Sequence, residues 1–418
     1  LTISVWRSLL NIFYRIFISL LFLILTNSIF SKEIILYPNQ NSEEEIQEAL
    51  ILLEPGDILT LSEGIFSFED SLSLDIDNVT VRGYSSDKTV LSFKGQLSGA
   101  QGFLVTSSKV TLKDFAIEDA KGDALKVIGA DGIYMINLRT EWTNGPDSNN
   151  GAYGLYPVES NDVLIDGCVA IGASDAGIYV GQSKNIIVRN SIAKFNVAGI
   201  EIENSYYADV YDNLASHNTA GILVFDLPDL PQQGGHHVRV FRNKVINNDT
   251  DNFAPEGNIV GEVPRGTGII VQANSHVEIF DNDIFGNGTV NLAIVSYSSP
   301  TEDENYYPHP KAIQVHDNRF GEVGFNPDIE TGELAAIVFD LSKGDMPDIF
   351  WDGVLPLSQI ILGQPSDEKI VLKDNGDVSF LTINPIKYML PFFDPAETDI
   401  EAYKGHINPL PEVIVKYN

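Results

Sequence analysis

The 418-residue sequence holds one cysteine, Cys168, and three methionines. A lone cysteine cannot close an internal disulfide or supply a CxxC redox or zinc motif. With methionine also scarce, no soft copper ligand set can be assembled. Cys168 is therefore read as a small buried apolar side chain. Basic residues are sparse as well: 26 Lys+Arg face 58 Asp+Glu, a net charge of −32. So acidic a chain repels polyanions and lacks a Lys/Arg footprint for DNA or RNA, so nucleic acid is excluded as a partner. No P-loop, dinucleotide fingerprint, HExxH, GxSxG or CxxCH occurs. What is abundant is turn-forming: 34 Gly and 20 Pro, beside 44% hydrophobic and 20% charged residues. That balance fits many short strands around a sizeable core rather than a disordered acidic tail.

Residues 1–31 contain Arg7 and Arg15 and no acid, then an apolar run over 16–25, then small polar Thr26 and Ser28. This is the pattern of a signal peptide. Counted from Val5, the run approaches the ~20 residues that span a bilayer, so an N-terminal membrane anchor is the alternative. Either way the chain is expected to be exported: periplasmic, outer-surface or secreted, touching a membrane through this segment if it stays uncleaved.

Self-comparison shows what fills the middle. AGIYVGQSKNIIVRNSIAKFNV (176–197) and AGIEIENSYYADVYDNLASHNT (198–219) align without a gap, each 22 residues long, and AGILVF (220–225) begins a third copy. YGLYPV (153–158) and TGIIVQ (267–272) open further copies. Asparagines recur with the unit: Asn213, Asn243 and Asn282 share one offset, and Asn196, Asn218, Asn248 and Asn287 another. Three short β-type runs per unit, as in GIEIE, ADVYD and LAS, separated by short polar turns, describe one turn of a parallel β-helix. Coils stacked ~4.8 Å apart let such asparagines pass amide hydrogen bonds along the axis. Fainter copies at 103–119, 124–142 and AIVFD (336–340) extend the pattern. The expectation is an all-β fold, a single right-handed parallel β-helix solenoid over 55–340. An N-terminal cap over 32–54, with the helix EEEIQEALILL (43–53), covers the first open coil, and a Pro-rich cap or tail fills 341–418.

Strand side chains alternate, so the apolar positions Leu155, Ile178, Ile200, Ile222 and Ile269 face inward. The intervening positions face out and read Tyr156, Tyr179, Glu201, Glu203 and Phe225, an aromatic and acidic strip. Insertions at 145–151, 226–237, 250–266 and around 306–309 flank it and would wall it into a groove. Glu201 and Glu203 stand two residues apart on one face, ~7 Å between alpha carbons, a spacing open to a paired acid and base or to part of a calcium site. His236 and His237, in the loop after Gly-Gly, are candidate proton carriers or ligand contacts. Arg265, just before Thr267, is the best-placed cation for an acidic sugar.

The 22-residue coil and the run YGLYPVESNDVLIDGCVA (153–170) resemble right-handed β-helix proteins of the pectin-lyase-like superfamily, in particular mannuronan C5-epimerases and alginate lyases. The corresponding family strand reads YG-F-DPHE, and its tyrosine, aspartate and histidine act at C5 of a uronate. Here Tyr153 matches the tyrosine and Glu159 the trailing glutamate, but Tyr156 and Val158 replace the aspartate and histidine. The resemblance therefore implies the fold but not that mechanism. From PGDILTLSEGIF through EWTNGP, FDLPDLPQ and VPRGTGI, the chain is still more similar to exported β-helix repeat proteins without an assigned activity, found beside a second, sometimes cytochrome-like, exported protein. A more distant likeness is to the periplasmic β-helix proteins that assist nitrous oxide reductase maturation. Two functional expectations follow. One is a protein that binds a polysaccharide, and as a lyase, epimerase or glycoside hydrolase would modify it, with Tyr153, Glu201, Glu203 and Arg265 as catalytic candidates and Tyr156, Tyr179, Phe225, His236 and His237 as sugar contacts. The other is a non-catalytic scaffold for another exported protein.

Overall fold

In the computed structural model, which describes residues 31–390 and 392–417, each repeat is one coil of a right-handed parallel β-helix. The coil at 198–216 shows the plan: Ala198–Glu203 lies in sheet 1, Tyr206–Tyr211 in sheet 2 and Leu214–Ser216 in sheet 3. Among the described residues sheets 1 and 2 each hold twelve strands and sheet 3 ten, and through the body of the solenoid every third strand is a hydrogen-bonded neighbour. The export segment read over 1–31 lies outside the described residues, Ser31 apart.

Period-two alternation within a strand and period 22 between strands put like side chains on one axis. Leu155, Ile178, Ile200, Ile222, Ile269 and Leu292 stack in register along sheet 1, all fully buried. Each such side chain contributes roughly 1.5–3 kcal/mol by leaving water. Cys168 is buried and free in the same core, hydrogen-bonded to backbone, as expected. Corners are made by left-handed residues, among them Asn204 (φ 46°), Asp212 (φ 55°) and His217 (φ 59°). Asparagine and aspartate occupy that region more easily than most residues.

Both asparagine ladders form. Asn196 donates from its backbone and its side chain to Asn218 Oδ1 (3.0 Å each), Asn218 does the same to Asn248, and Asn248 to Asn287. The second ladder runs from Asn213 through Asn243 and Asn282 and continues to Asn318 and Asn375, two members the repeat did not disclose.

The solenoid exceeds the range read from the repeat at both ends. Glu33–Leu36 already pairs with Ile58–Leu61, and Phe380–Ile383 still pairs with Ile349–Trp351. Helix α1 (Ser42–Leu52) buries Ile46, Ala49 and Leu50 over the first coil. At the far end Tyr403 packs its ring against Trp351 and Phe380. The run AIVFD is not a strand copy: it belongs to helix α2 (Glu333–Leu341), because ELAAIVFDL lays Leu334, Ile337, Val338 and Leu341 along one helical face. Beyond residue 404 the chain turns back across sheet 2. Gln314 donates to the Asn408 carbonyl, Leu410 N–H to Glu278, Val413 N–H to Asp209 and the Tyr134 hydroxyl to the Lys416 carbonyl, so this tail straps coil after coil.

Candidate functional site

The outward column of sheet 1 changes character partway along the solenoid. In register it reads Ser73, Leu104, Lys126 and Tyr156, all exposed or half-buried; after Tyr156 come Tyr179, Glu201, Leu223, Ile270, Ala293, Phe350 and Leu381, all buried. The cover is apolar: Leu227 and Leu230 from one insertion, Phe253, Val260 and Val263 from another, and Val338 from α2. The insertions thus do more than wall a groove. They close the C-terminal half of the face and leave the N-terminal half open, and the tyrosines and acids sit at the boundary. Tyr179, Glu201, Glu203 and Phe225, expected on an open strip, are at most 9% exposed. Outward from the β-helix core does not mean solvent-facing when loops return over the sheet.

At that boundary three tyrosines pack on one another. Tyr153 lies 4.3 Å from Tyr156 and 4.8 Å from Tyr179 between ring centroids, and Tyr156 meets Tyr179 edge-on at 4.9 Å. The Tyr179 hydroxyl donates to Glu203 Oε1 at 2.7 Å. Burial pushes the Glu203 carboxyl up to about 7, against the Tyr179 hydrogen bond and with help from Asp226. Asp175, one residue before the strand Ala176–Gly181, is also raised to about 7 by burial, opposed by the Tyr153 hydroxyl and reinforced by Glu203 and Asp123. Glu201 is pushed well above the usual carboxylate range by burial and by Glu203 and Asp175. The same negative surroundings, after burial, drive the Tyr153 phenol far above its ordinary value, so Tyr153 stays protonated, a hydrogen-bond donor and not a base. Lys126 stands at the mouth, 3.6 Å from Asp123 and 4.5 Å over the Tyr156 ring. Two carboxyls that change charge near neutrality, beside aromatic faces, are equipped for proton transfer on a bound ring.

The other candidates are not brought into this cluster. Arg265 is no free cation: it pairs with Asp251 at 2.8 Å and Asp249 at 3.6 Å, lining a cleft of about 900 Å³ between the 251–262 and 326–331 loops. His236 and His237 are not in a loop but open the sheet 2 strand His236–Phe241, because HHVRVF continues the alternating pattern. His236 stacks on Tyr206 at 4.4 Å and His237 on His276 at 5.0 Å. Phe225 lies under the apolar cover, with no open face for a sugar. Among the described residues no group of three or more His, Cys, Asp or Glu is placed to hold a metal ion. Sequence reading missed Asp175, Asp123 and Lys126. Asp175 was findable, since the equivalent positions in the next two coils are Val197 and Thr219.

In comparison with known proteins, the family described as right handed beta helix region matches residues 63–230. No curated protein matches the chain. Among solved structures it is similar to the A-module of an Azotobacter vinelandii mannuronan C-5 epimerase, with 14% identity over 76% of this chain and 86% of that one, at a TM-score of 0.45. A second A-module of that kind from the same organism matches at 15% identity, over 76% and 87% of the chains and a TM-score of 0.46. A mannuronic acid specific polysaccharide lyase from human gut microbiota matches at 13% identity, over 79% and 84% and a TM-score of 0.41. With its three stacked sheets and the family match over residues 63–230, the chain folds as a right-handed parallel β-helix.

Proposed function

We propose that the protein is exported and binds a polysaccharide along the open half of sheet 1, with one sugar reaching the cluster of Tyr153, Tyr156 and Tyr179. Asp175, Glu201 and Glu203 are then the groups that act on that sugar. The observation that carries the reading is the junction itself: an open strip ends against three packed tyrosine rings, one of them hydrogen-bonded to the Glu203 carboxyl. Aromatic faces and acceptor-rich carboxylates are the usual means of holding a sugar ring, and Asp175 and Glu203, both at about 7, can lend and recover a proton at neutral pH. The test is a panel of glycans offered to the protein and to its Tyr156→Ala variant, reading binding and new reducing ends. Binding to the parent that the variant weakens about tenfold or more supports the reading. Binding unchanged in the variant, or to no glycan, rejects it.

A second reading, a scaffold for another exported protein, is favoured by apolar side chains at the C-terminal end. Leu357, Ile361 and Leu362 of helix α3 (Leu357–Leu362) are at least 71% exposed, and Phe392 is 93% exposed. Serine replacements at Ile361 and Phe392 that leave glycan binding intact and abolish a partner complex would support it.

A further inference from the structure

The C-terminal tail lies on sheet 2 as a bound peptide would. One outward column of that sheet reads, coil by coil, Gln314, Glu278, Arg239, Asp209, Ile187 and Leu164. The tail crosses these coils with its backbone turned to them. Asn408 N–H donates to Gln314, Leu410 N–H to Glu278 at 2.8 Å and Val413 N–H to Asp209 at 3.2 Å. The Val413 side chain, 6% exposed, packs on Leu164 and Ile187. Glu278 and Asp209 are two coils apart, ~9.6 Å, and an extended chain covers that in three residues at ~3.3 Å each, the separation of Leu410 and Val413. A column that meets backbone N–H groups at that spacing suits an extended chain of many sequences.

The tail's hold is light. Of residues 404–417 only Val413 is buried, and Pro409 and Pro411 have no N–H to give. Beside the tail a cleft of about 470 Å³ stands open, walled by Arg189, Tyr211, Phe241, Arg242 and Phe280. Glu412 lines the same cleft and acts on Arg239.

We infer, resting on the scaffold reading, that this column is the docking groove for the partner protein, and that the partner displaces the tail with an extended segment of the tail's own chemistry. Its backbone N–H groups meet Gln314, Glu278 and Asp209, an apolar β-branched residue covers Leu164 and Ile187, and an acid sits beside Arg239. Arg189, Arg239 and Arg242, each paired with an aspartate, offset the negative field at the cleft, so an acid is accepted there although the chain carries −32. A tethered tail competes at an effective concentration of about millimolar. The partner must therefore make more contacts than the tail does, and the open cleft beside the aromatic rings is where they are made.

The test uses the intact chain, its Val413→Asp and Leu410→Pro variants, and a fluorescent peptide of residues 405–417. Both changes lie in the tail and should free it, read as faster hydrogen exchange at its remaining hydrogen-bonded amides. The peptide should bind the freed chains at least about tenfold more tightly than the parent, whose own tail fills the groove. The same peptide carrying Val413→Asp, or scrambled, should bind about tenfold or more weakly. Tail amides that stay protected in both variants would make the strap a fixed part of the fold and overturn the inference. Equal binding to parent and freed chains, or of the altered peptides, overturns it too. So does no binding to a freed chain, and the scaffold reading then still stands on the apolar C-terminal end, which the Ile361 and Phe392 replacements test separately.

Discussion

The ring of Tyr179 lies flat across Gly181, two residues along the same strand, so that a Cβ on Gly181 would fall within contact of Cε1, Cζ and the hydroxyl oxygen. From there the hydroxyl reaches Glu203, which is Gly181's register partner on the next coil. The glycine is needed for its lack of a side chain rather than for an unusual backbone angle, and it aims a tyrosine from one coil at a carboxyl of the next.

Gly181→Ala should therefore cost about 1–3 kcal/mol, the usual range for inserting a methyl into a filled site. The ring must swing off its strand, which breaks the 2.7 Å bond to Glu203 and removes the interaction that opposes the rise of its pKa. Urea unfolding of the two proteins checks this. Stability equal to the parent would show that the ring has somewhere else to go.

Stability should fall as the pH rises through neutrality. Asp175 and Glu203 titrate at about 7 in the folded chain and at ~3.9 and ~4.3 when unfolded. Between those values the folded protein keeps protons that the unfolded chain releases, so the contribution is full below about pH 4 and is gone above the folded pKa. Each pH unit crossed costs about 1.4 kcal/mol per carboxyl as an upper bound. His236, lowered to about 4 by burial and His237, works the other way below its unfolded value. The carboxyl signal is therefore cleanest from about pH 6.5 to 7.5, over the last part of its fall. Thermal midpoints over that window should decline, and Asp175→Asn or Glu203→Gln should flatten the decline. A flat profile in the parent would mean these carboxyls are solvated.

Much of the architecture was legible because it is periodic. Ile178, Ile200 and Ile222 recur at 22 residues, and so must stack. The ladder asparagines were legible across spacings of 22 to 39 residues, and the pattern was lost only at Asn318, 36 residues on, and Asn375, 57 beyond that. The candidate site was half legible. Alternation shows that Glu201 and Glu203 leave the core, but not that chain from 226–235, 250–266 and α2 folds back over them. Such cover depends on contacts between segments far apart in the sequence, which no local pattern carries. Arg265 was misread for another reason: its partners Asp249 and Asp251 stand at the start of the same insertion, and no repeat pattern there shows that the loop curls back on them.

Asn218→Ala should be among the most damaging single changes in the solenoid. Asn218 Oδ1 accepts two donors from Asn196, and its own amide donates to the Ala193 carbonyl and to Asn248. Truncation strands buried donors and acceptors that water cannot reach, at about 1–3 kcal/mol for each group left unmatched. A loss of about 3 kcal/mol or more in denaturant unfolding is expected, against under about 0.5 kcal/mol for the exposed control Asp70→Ala. A loss similar to the control would show that the ladder is dispensable.

Uronate elimination or C5 inversion on polymannuronate should be undetectable. Abstraction at C5 requires a base near the carbon and a partner that neutralises the adjacent carboxylate. Tyr153 cannot be that base, because burial together with Asp175, Glu201 and Glu203 keeps its phenol protonated far past neutral pH. Tyr156, at about 12 through burial and the nearby acids, is no better, and Val158 is a buried isopropyl group. Nor is there a local cation for the substrate carboxylate, since Lys126 is engaged by Asp123. Absorbance of unsaturated uronate and the proton spectrum of the recovered polymer, each with and without calcium, should both stay at the background of a boiled control. If product does form, Tyr153→Phe separates the explanations. Turnover lost with that hydroxyl would mean that substrate binding expels the negative charge from around Tyr153, while turnover that persists would place the chemistry on the carboxyls of Asp175 and Glu203.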